Sequence, residues 1–156
     1  MPRAGARRKF GDFALTGQRG PVRSLLYLPT QPRVGDFVEA DAFEFVRARK
    51  ADRFDTIVVD PPALAKRKAG GEGALRAYHE LNLRAFRITA PGGWLVTCSC
   101  SGKVTATLFE EMLVAAARDA GRDAELVERR GAGPDHPVLL GLPETEYLKC
   151  FVLRVR

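Results

Sequence analysis

No stretch of this chain approaches the ~20 consecutive apolar residues of a bilayer-crossing helix, so a helical membrane span is excluded on sequence grounds. The N-terminus lacks the apolar core of a secretory signal. Cysteine is scarce: three residues, an odd number, do not form a disulfide framework, and a reduced, cytoplasmic setting is expected. Histidine is scarcer, with two residues far apart, and a single C-x-C has no second cysteine pair to complete a zinc site. Internal repeats and low-complexity tracts are absent. What remains is a balanced chain of 156 residues, 46% hydrophobic and 28% charged. That is about one domain, large enough to bury roughly two-thirds of its unfolded surface without staples. The net charge of +6 suits a polyanionic partner such as nucleic acid, and equally a generally basic, arginine-rich proteome.

The chain divides near residue 33. Residues 1–33 begin with Arg3, Arg7, Arg8 and Lys9, and glycines and prolines then interrupt the apolar positions. This segment reads as an irregular basic leader in which only Val22 to Leu28 has strand character. Residues 34–156 are better patterned. A short strand over Asp36–Ala40 leads to a helix over Asp41–Lys50, with Asp41 as N-cap. The run from Phe54 to Val59 is rich in β-branched residues and reads as a strand covered on both faces. Ala74, Tyr78, Leu81, Ala85 and Ile88 recur at helical spacing until Pro91-Gly92-Gly93. Trp94 to Cys98 is a further buried strand. A second long helix, capped by Thr105 or Thr107 and ended by Gly121, precedes strands over Ala124–Arg129 and Tyr147–Val155. Alternating strands and helices predict an α/β sheet of doubly wound type with parallel crossovers. The last two strands lack a helix between them, so the final strand is free to run antiparallel.

In such sheets ligands sit at the carboxyl ends of the strands. Two segments fall there. Asp60-Pro61-Pro62 ends one strand: the prolines force an extended loop with free carbonyls, and the aspartate suits the donor edge of a flat heterocycle. The plain alternative is a strand stopped by proline with an aspartate cap. Thr97-Cys98-Ser99-Cys100-Ser101-Gly102 ends the next strand. Cys100 lies past the strand end and before a helix, where a thiolate is favoured and can act as a nucleophile. Cys98 and Cys150 read as small buried thiols. His79 reads as a solvated helix residue, and His136 sits in a loop that can lean over the crevice. Lys66, Arg67 and Lys68 follow the proline loop and suit phosphates, or are simply a solvated charge run. Gly70-Gly71-Glu72-Gly73 reads as a mobile lid or a linker.

FDTIVVDPPALAKRK, AYHELNLRAF, GGWLVTCSCSG, DHPVLLGLPETEYLK and the closing FVLRV follow one another in an order that resembles the catalytic domain of class I AdoMet-dependent RNA methyltransferases. More narrowly, it resembles bacterial 23S ribosomal RNA 5-methylcytosine methyltransferases with an N-terminal PUA domain, over about Phe37 to Arg156. The resemblance implies a Rossmann-like sheet with helices on both faces, S-adenosyl-L-methionine as cofactor, and ribosomal RNA as partner. It implies that Cys100 attacks C6 of the target cytosine while Asp60 bonds the base edge and helps neutralise charge developing at N3. Pro61 and Pro62 would shape the base pocket, and Asp41, with Ala42 and Phe43 beside it, would bind the adenine end of the cofactor. The family's Gly-rich cofactor loop has no counterpart in residues 1–36, so the expectation is a catalytic fragment that lacks its first strands and has an unpaired sheet edge, which a second copy or a missing-half partner could cover. The alternative expectation is a catalytically inactive remnant that binds RNA through its basic charge. Ala63 stands where amino-directed methyltransferases place an aromatic residue, which argues against exocyclic-amine methylation. It is also not the second cysteine that many RNA 5-methylcytosine enzymes use for product release.

Overall fold

The computed structural model describes residues 16–18, 23–31, 34–50, 53–64 and 71–156. Three strands come first: β1 (Thr16–Gln18), β2 (Arg23–Gln31) and β3 (Val34–Asp41). They form an antiparallel sheet in the order β1-β2-β3. The β2–β3 register slips between Pro29 and Gln31, where a proline without an N–H interrupts the ladder. Strand structure in this region exceeds the single short strand read over Val22–Leu28. Gly17 lies on the edge strand β1 and Pro29 at the register shift, where they are tolerated; Pro21 and Pro32 lie outside the described residues. The basic start, Arg3 to Lys9, lies outside the described residues.

The main sheet has four strands: β4 (Phe54–Val59), β5 (Thr89–Ser99), β6 (Ala124–Arg130) and β7 (Lys149–Val155), in the order β4-β5-β7-β6. β4 and β5 are parallel, as the helical crossover between them requires. β7 inserts antiparallel between β5 and β6, as the helix-free connection allows. β3 does not hydrogen-bond to this sheet. It pairs with its hairpin partner β2, since a hairpin satisfies its ladder locally.

Among the described residues there are three α-helices, α1 (Ala42–Ala48), α2 (Gly71–Ile88) and α3 (Ala106–Ala120), and a short 3-10 turn over Pro143–Thr145. Thr105 Oγ1 accepts the Leu108 amide to cap α3, and Gly121 ends it at φ 67. Gly71 to Gly73 form the first turn of α2, not a lid or linker. Both crossovers advance across the sheet in one direction, so α2 and α3 land on the same face and pack on each other. The core lies between them and the sheet: Tyr78, Leu81 and Phe86 from α2, Phe109 and Leu113 from α3, Ile57, Val59, Leu95, Phe151 and Leu153 from the strands. Phe109 meets Tyr78 edge-on at 5.4 Å and Phe151 at 5.6 Å. The resemblance implies helices on both faces, but among the described residues they cover one. Alternate positions on β5 and β7 are accordingly buried and half-buried. Trp94, Val96 and Cys98 with Cys150, Val152 and Arg154 form the half-buried face.

Candidate active site

Parallel pairing of β4 and β5 sets Val59 opposite Thr97, so the chain leaves both strands at one edge. Asp60 follows β4 directly and is half-buried; Pro61 is buried and Pro62 half-buried. Cys100 follows β5 and is half-buried. Its thiol points at the Pro61 carbonyl oxygen, 3.9 Å from Sγ, so the two strand ends touch. Asp60, Pro61, Pro62 and Cys100, named from sequence, therefore come together where the two strands end. Lys66, Arg67 and Lys68 lie outside the described residues.

Burial raises the Asp60 carboxyl above its ordinary range. Burial also pushes the Cys100 thiol up, and the Asp60 carboxylate adds to this; its own backbone amide and the Lys149 ammonium oppose it. The helix N-terminus that follows does not make Cys100 a resting thiolate. Cys98 and Cys150 face each other across β5 and β7. The hydrogen bond between them drives the Cys98 thiol up, burial adding, and pulls Cys150 down to about 7. The opposite shifts describe one acid of two thiols, which gives up a first proton readily and holds the second.

The segment after β5 is tied down from the helix face. Tyr78 OH and Ser101 Oγ are 3.1 Å apart, and the Ser101 amide reaches Ser99 Oγ at 3.4 Å. Below them Thr97 Oγ1 donates to Asn82 Oδ1 at 2.7 Å, while Asn82 Nδ2 donates to the Tyr78 carbonyl at 2.8 Å. Lys149 enters from β7, only 8% exposed, and donates from Nζ to the carbonyls of Ser101 and Tyr147, both at 2.7 Å. Sequence reasoning missed Tyr78, Ser101 and Lys149 as site residues. The signal for Lys149 was present: it occupies the same alternating face as Phe151, Leu153 and Val155.

Asp41 caps α1, its Oδ1 accepting the amides of Phe43 at 2.9 Å and Glu44 at 3.1 Å. Ala42 is buried, and half-buried Phe43 packs against the core. This trio belongs to the β3–α1 corner, on a different element from Asp60 and Cys100. His79 bridges α2 to α3 through Asp119 at 3.0 Å. His136 pairs with its neighbour Asp135 on an exposed loop. A cleft of about 350 Å³ between α3, β6 and β7, lined by Phe86, Leu113, Leu126 and Leu153, lies away from Asp60 and Cys100.

A SAM-dependent methyltransferase from Streptococcus mutans superposes with TM-score 0.59 at 18% identity, over 75% of this chain and 30% of that one. A methyltransferase solved with SAH gives 0.56 at 20% identity, over 73% and 29%. The fold is Rossmann-like, of the methyltransferase type. Curated relatives share far more sequence with this methyltransferase-like domain. It is 46% identical over 122 residues to Ribosomal RNA large subunit methyltransferase I of Aeromonas hydrophila, covering 77% of this chain and 31% of the relative. The Citrobacter koseri protein of the same name is 43% identical over 164 residues, covering 93% of this chain and 41% of its own. The chain thus spans less than a third of the length of the first relatives it matches. No protein-family model matches it. Among the described residues, no helix is long and apolar enough to cross a membrane.

Proposed function

We propose that this chain is the catalytic part of an AdoMet-dependent methyltransferase that modifies C5 of cytosine in ribosomal RNA through a covalent adduct of Cys100. The observation that carries this reading is the meeting of Cys100 with the Asp60-Pro61 loop, Sγ to carbonyl oxygen 3.9 Å. A thiol and a carboxyl at adjacent parallel strand ends can address opposite sides of one pyrimidine. The Cys100 thiolate adds to C6, and the electron pair of the C5–C6 bond moves toward C5. Asp60 bonds the N3/N4 edge; its raised pKa suits it to share a proton with N3 as charge develops there. After methyl transfer a base removes the C5 proton and the C6–S bond breaks, returning the thiolate. Pro61 and Pro62 shape the pocket, and Lys66, Arg67 and Lys68 hold nearby phosphates. The target base has to leave its stack to enter.

The residues at the β3–α1 corner fit the adenine end of the cofactor. The two capping bonds use Oδ1 of Asp41, and Oδ2 remains as an acceptor for an exocyclic amine, with Phe43 alongside. AdoMet, when bound, supplies an electrophilic methyl group on sulfur. The name and sequence of the curated relatives support ribosomal RNA as the substrate.

The capping role of Asp41 favours a second reading, in which the chain binds RNA through its charge without taking up AdoMet. Incubation with large-subunit ribosomal RNA and methyl-labelled AdoMet, followed by nucleoside analysis, separates the two. Label in 5-methylcytidine that disappears with Cys100→Ala is expected. Label in another nucleoside refutes C5 chemistry, and RNA binding without AdoMet uptake favours the second reading.

A further inference from the structure

A lysine on the buried face of a central strand needs a reason, because taking an ammonium out of water is costly unless it is paired. Lys149 stands where Phe151, Leu153 and Val155 continue the core face of β7. Its Nζ spans two carbonyl oxygens at 2.7 Å: Ser101, immediately after Cys100, and Tyr147, at the end of the loop that enters β7. Among the described residues no carboxylate forms an ion pair with it. Two neutral oxygens would be served as well by a neutral donor, so the positive charge itself asks for an explanation.

The groups around the Cys100 sulfur supply one. Asp60 faces it from the end of β4, Cys98 and its own amide from β5, Tyr78 from α2, and Lys149 from β7. Cys150, paired with Cys98, lies one strand further. Every one of the titratable side chains except Lys149 is neutral or becomes an anion. We propose that Lys149 is the positioning residue of the thiol site, locking the Cys100–Ser101 backbone to the root of the 131–148 loop and furnishing, among the described residues, the positive charge that acts on the Cys100 sulfur. This rests on the reading of Cys100 as nucleophile. The Tyr78–Ser101 bond holds the same segment from α2. The mutual attraction of Lys149 and Cys100 has the matching sign at each partner: it lowers the thiol and raises the ammonium, against burial at both.

The test separates charge from hydrogen bonding. The rate of iodoacetamide alkylation at Cys100 is followed from pH 6 to 10 in the full chain, read by mass spectrometry of the Cys100 peptide. Lys149→Gln keeps a donor without charge, Lys149→Met keeps the unbranched stem alone, and Lys149→Arg keeps the charge. Thermal unfolding confirms the fold of each. Gln and Met are expected to move the Cys100 profile to higher pH and slow alkylation at pH 8 by about three- to tenfold, with Arg nearer the unsubstituted chain. An unmoved profile in folded Lys149→Gln or Lys149→Met overturns the proposal. Because alkylation reads the thiol directly, a shifted profile in a chain that methylates no RNA upholds the role of Lys149 and refutes the methyltransferase reading instead.

Discussion

Cys100 and Asp60 make opposite demands on stability and chemistry. Cys100 is half-buried and its thiol makes only a long contact to a carbonyl. Cys100→Ala should therefore abolish 5-methylcytidine formation while costing about 1 kcal/mol or less in a denaturant titration. Asp60 is different. Burial raises its carboxyl in the folded state, so the folded chain disfavours the ionised form. The stability associated with this group is full below the ordinary carboxylate pKa and is lost as pH rises through the folded value. Asp60→Asn should raise the melting temperature at pH 7, an advantage that closes on acidification toward pH 4, and should lose turnover at every pH. A melting temperature unchanged at both pH values would show that the carboxyl is not desolvated. The same pair of strand ends thus holds a thiol and a carboxyl that ionise reluctantly, which is the condition for a Lys149 ammonium to matter.

At the scale of elements, a few residues hold the two strand ends in place. Gly93 fixes the other end of the pair, where backbone crowds it. A Cβ there would lie 2.8 Å from the Ala90 carbonyl oxygen and 2.9 Å from that of Asp55. These are backbone atoms of the β4–β5 pair, at the register shift between Phe54 and Thr56. Gly93→Ala should destabilise the domain by about 1–3 kcal/mol, measured by urea titration. Asn82 joins α2 to β5 through Thr97, both fully buried. Asn82→Ala leaves the Thr97 hydroxyl without its acceptor and should cost about 2–4 kcal/mol. Most of these elements were legible in the sequence. β4 was read with its observed bounds because five of its six residues are apolar or β-branched and a proline pair stops the run one residue later. The Asp41 and Gly121 caps were legible because capping depends on local chemistry alone. The β2–β3 hairpin was not, because glycines and prolines masked its alternation, and the single helical face of the sheet was not, since it depends on which distant segments meet. Lys149 was overlooked although its alternation with Phe151, Leu153 and Val155 marked the core face, because a charged residue at a strand start is ordinarily solvated.

For the whole molecule, a net charge of +6 and a site at one sheet edge suit a substrate held mainly through phosphates. RNA affinity measured by filter binding should fall steeply between 50 and 200 mM salt, and a flat response would contradict phosphate recognition. The domain reproduces the Rossmann-like topology of methyltransferases while matching a limited part of its curated relatives. The central claim is the covalent role of Cys100. It is tested most directly with RNA carrying 5-fluorocytidine and with AdoMet, because fluorine at C5 cannot leave as a proton does and the adduct is trapped. The account predicts a denaturation-resistant protein–RNA complex whose crosslinked peptide contains Cys100 and which Cys100→Ala does not form. Methyl transfer to cytosine C5 in RNA without a trapped complex, or a crosslink through Cys98 or Cys150 instead, would contradict it.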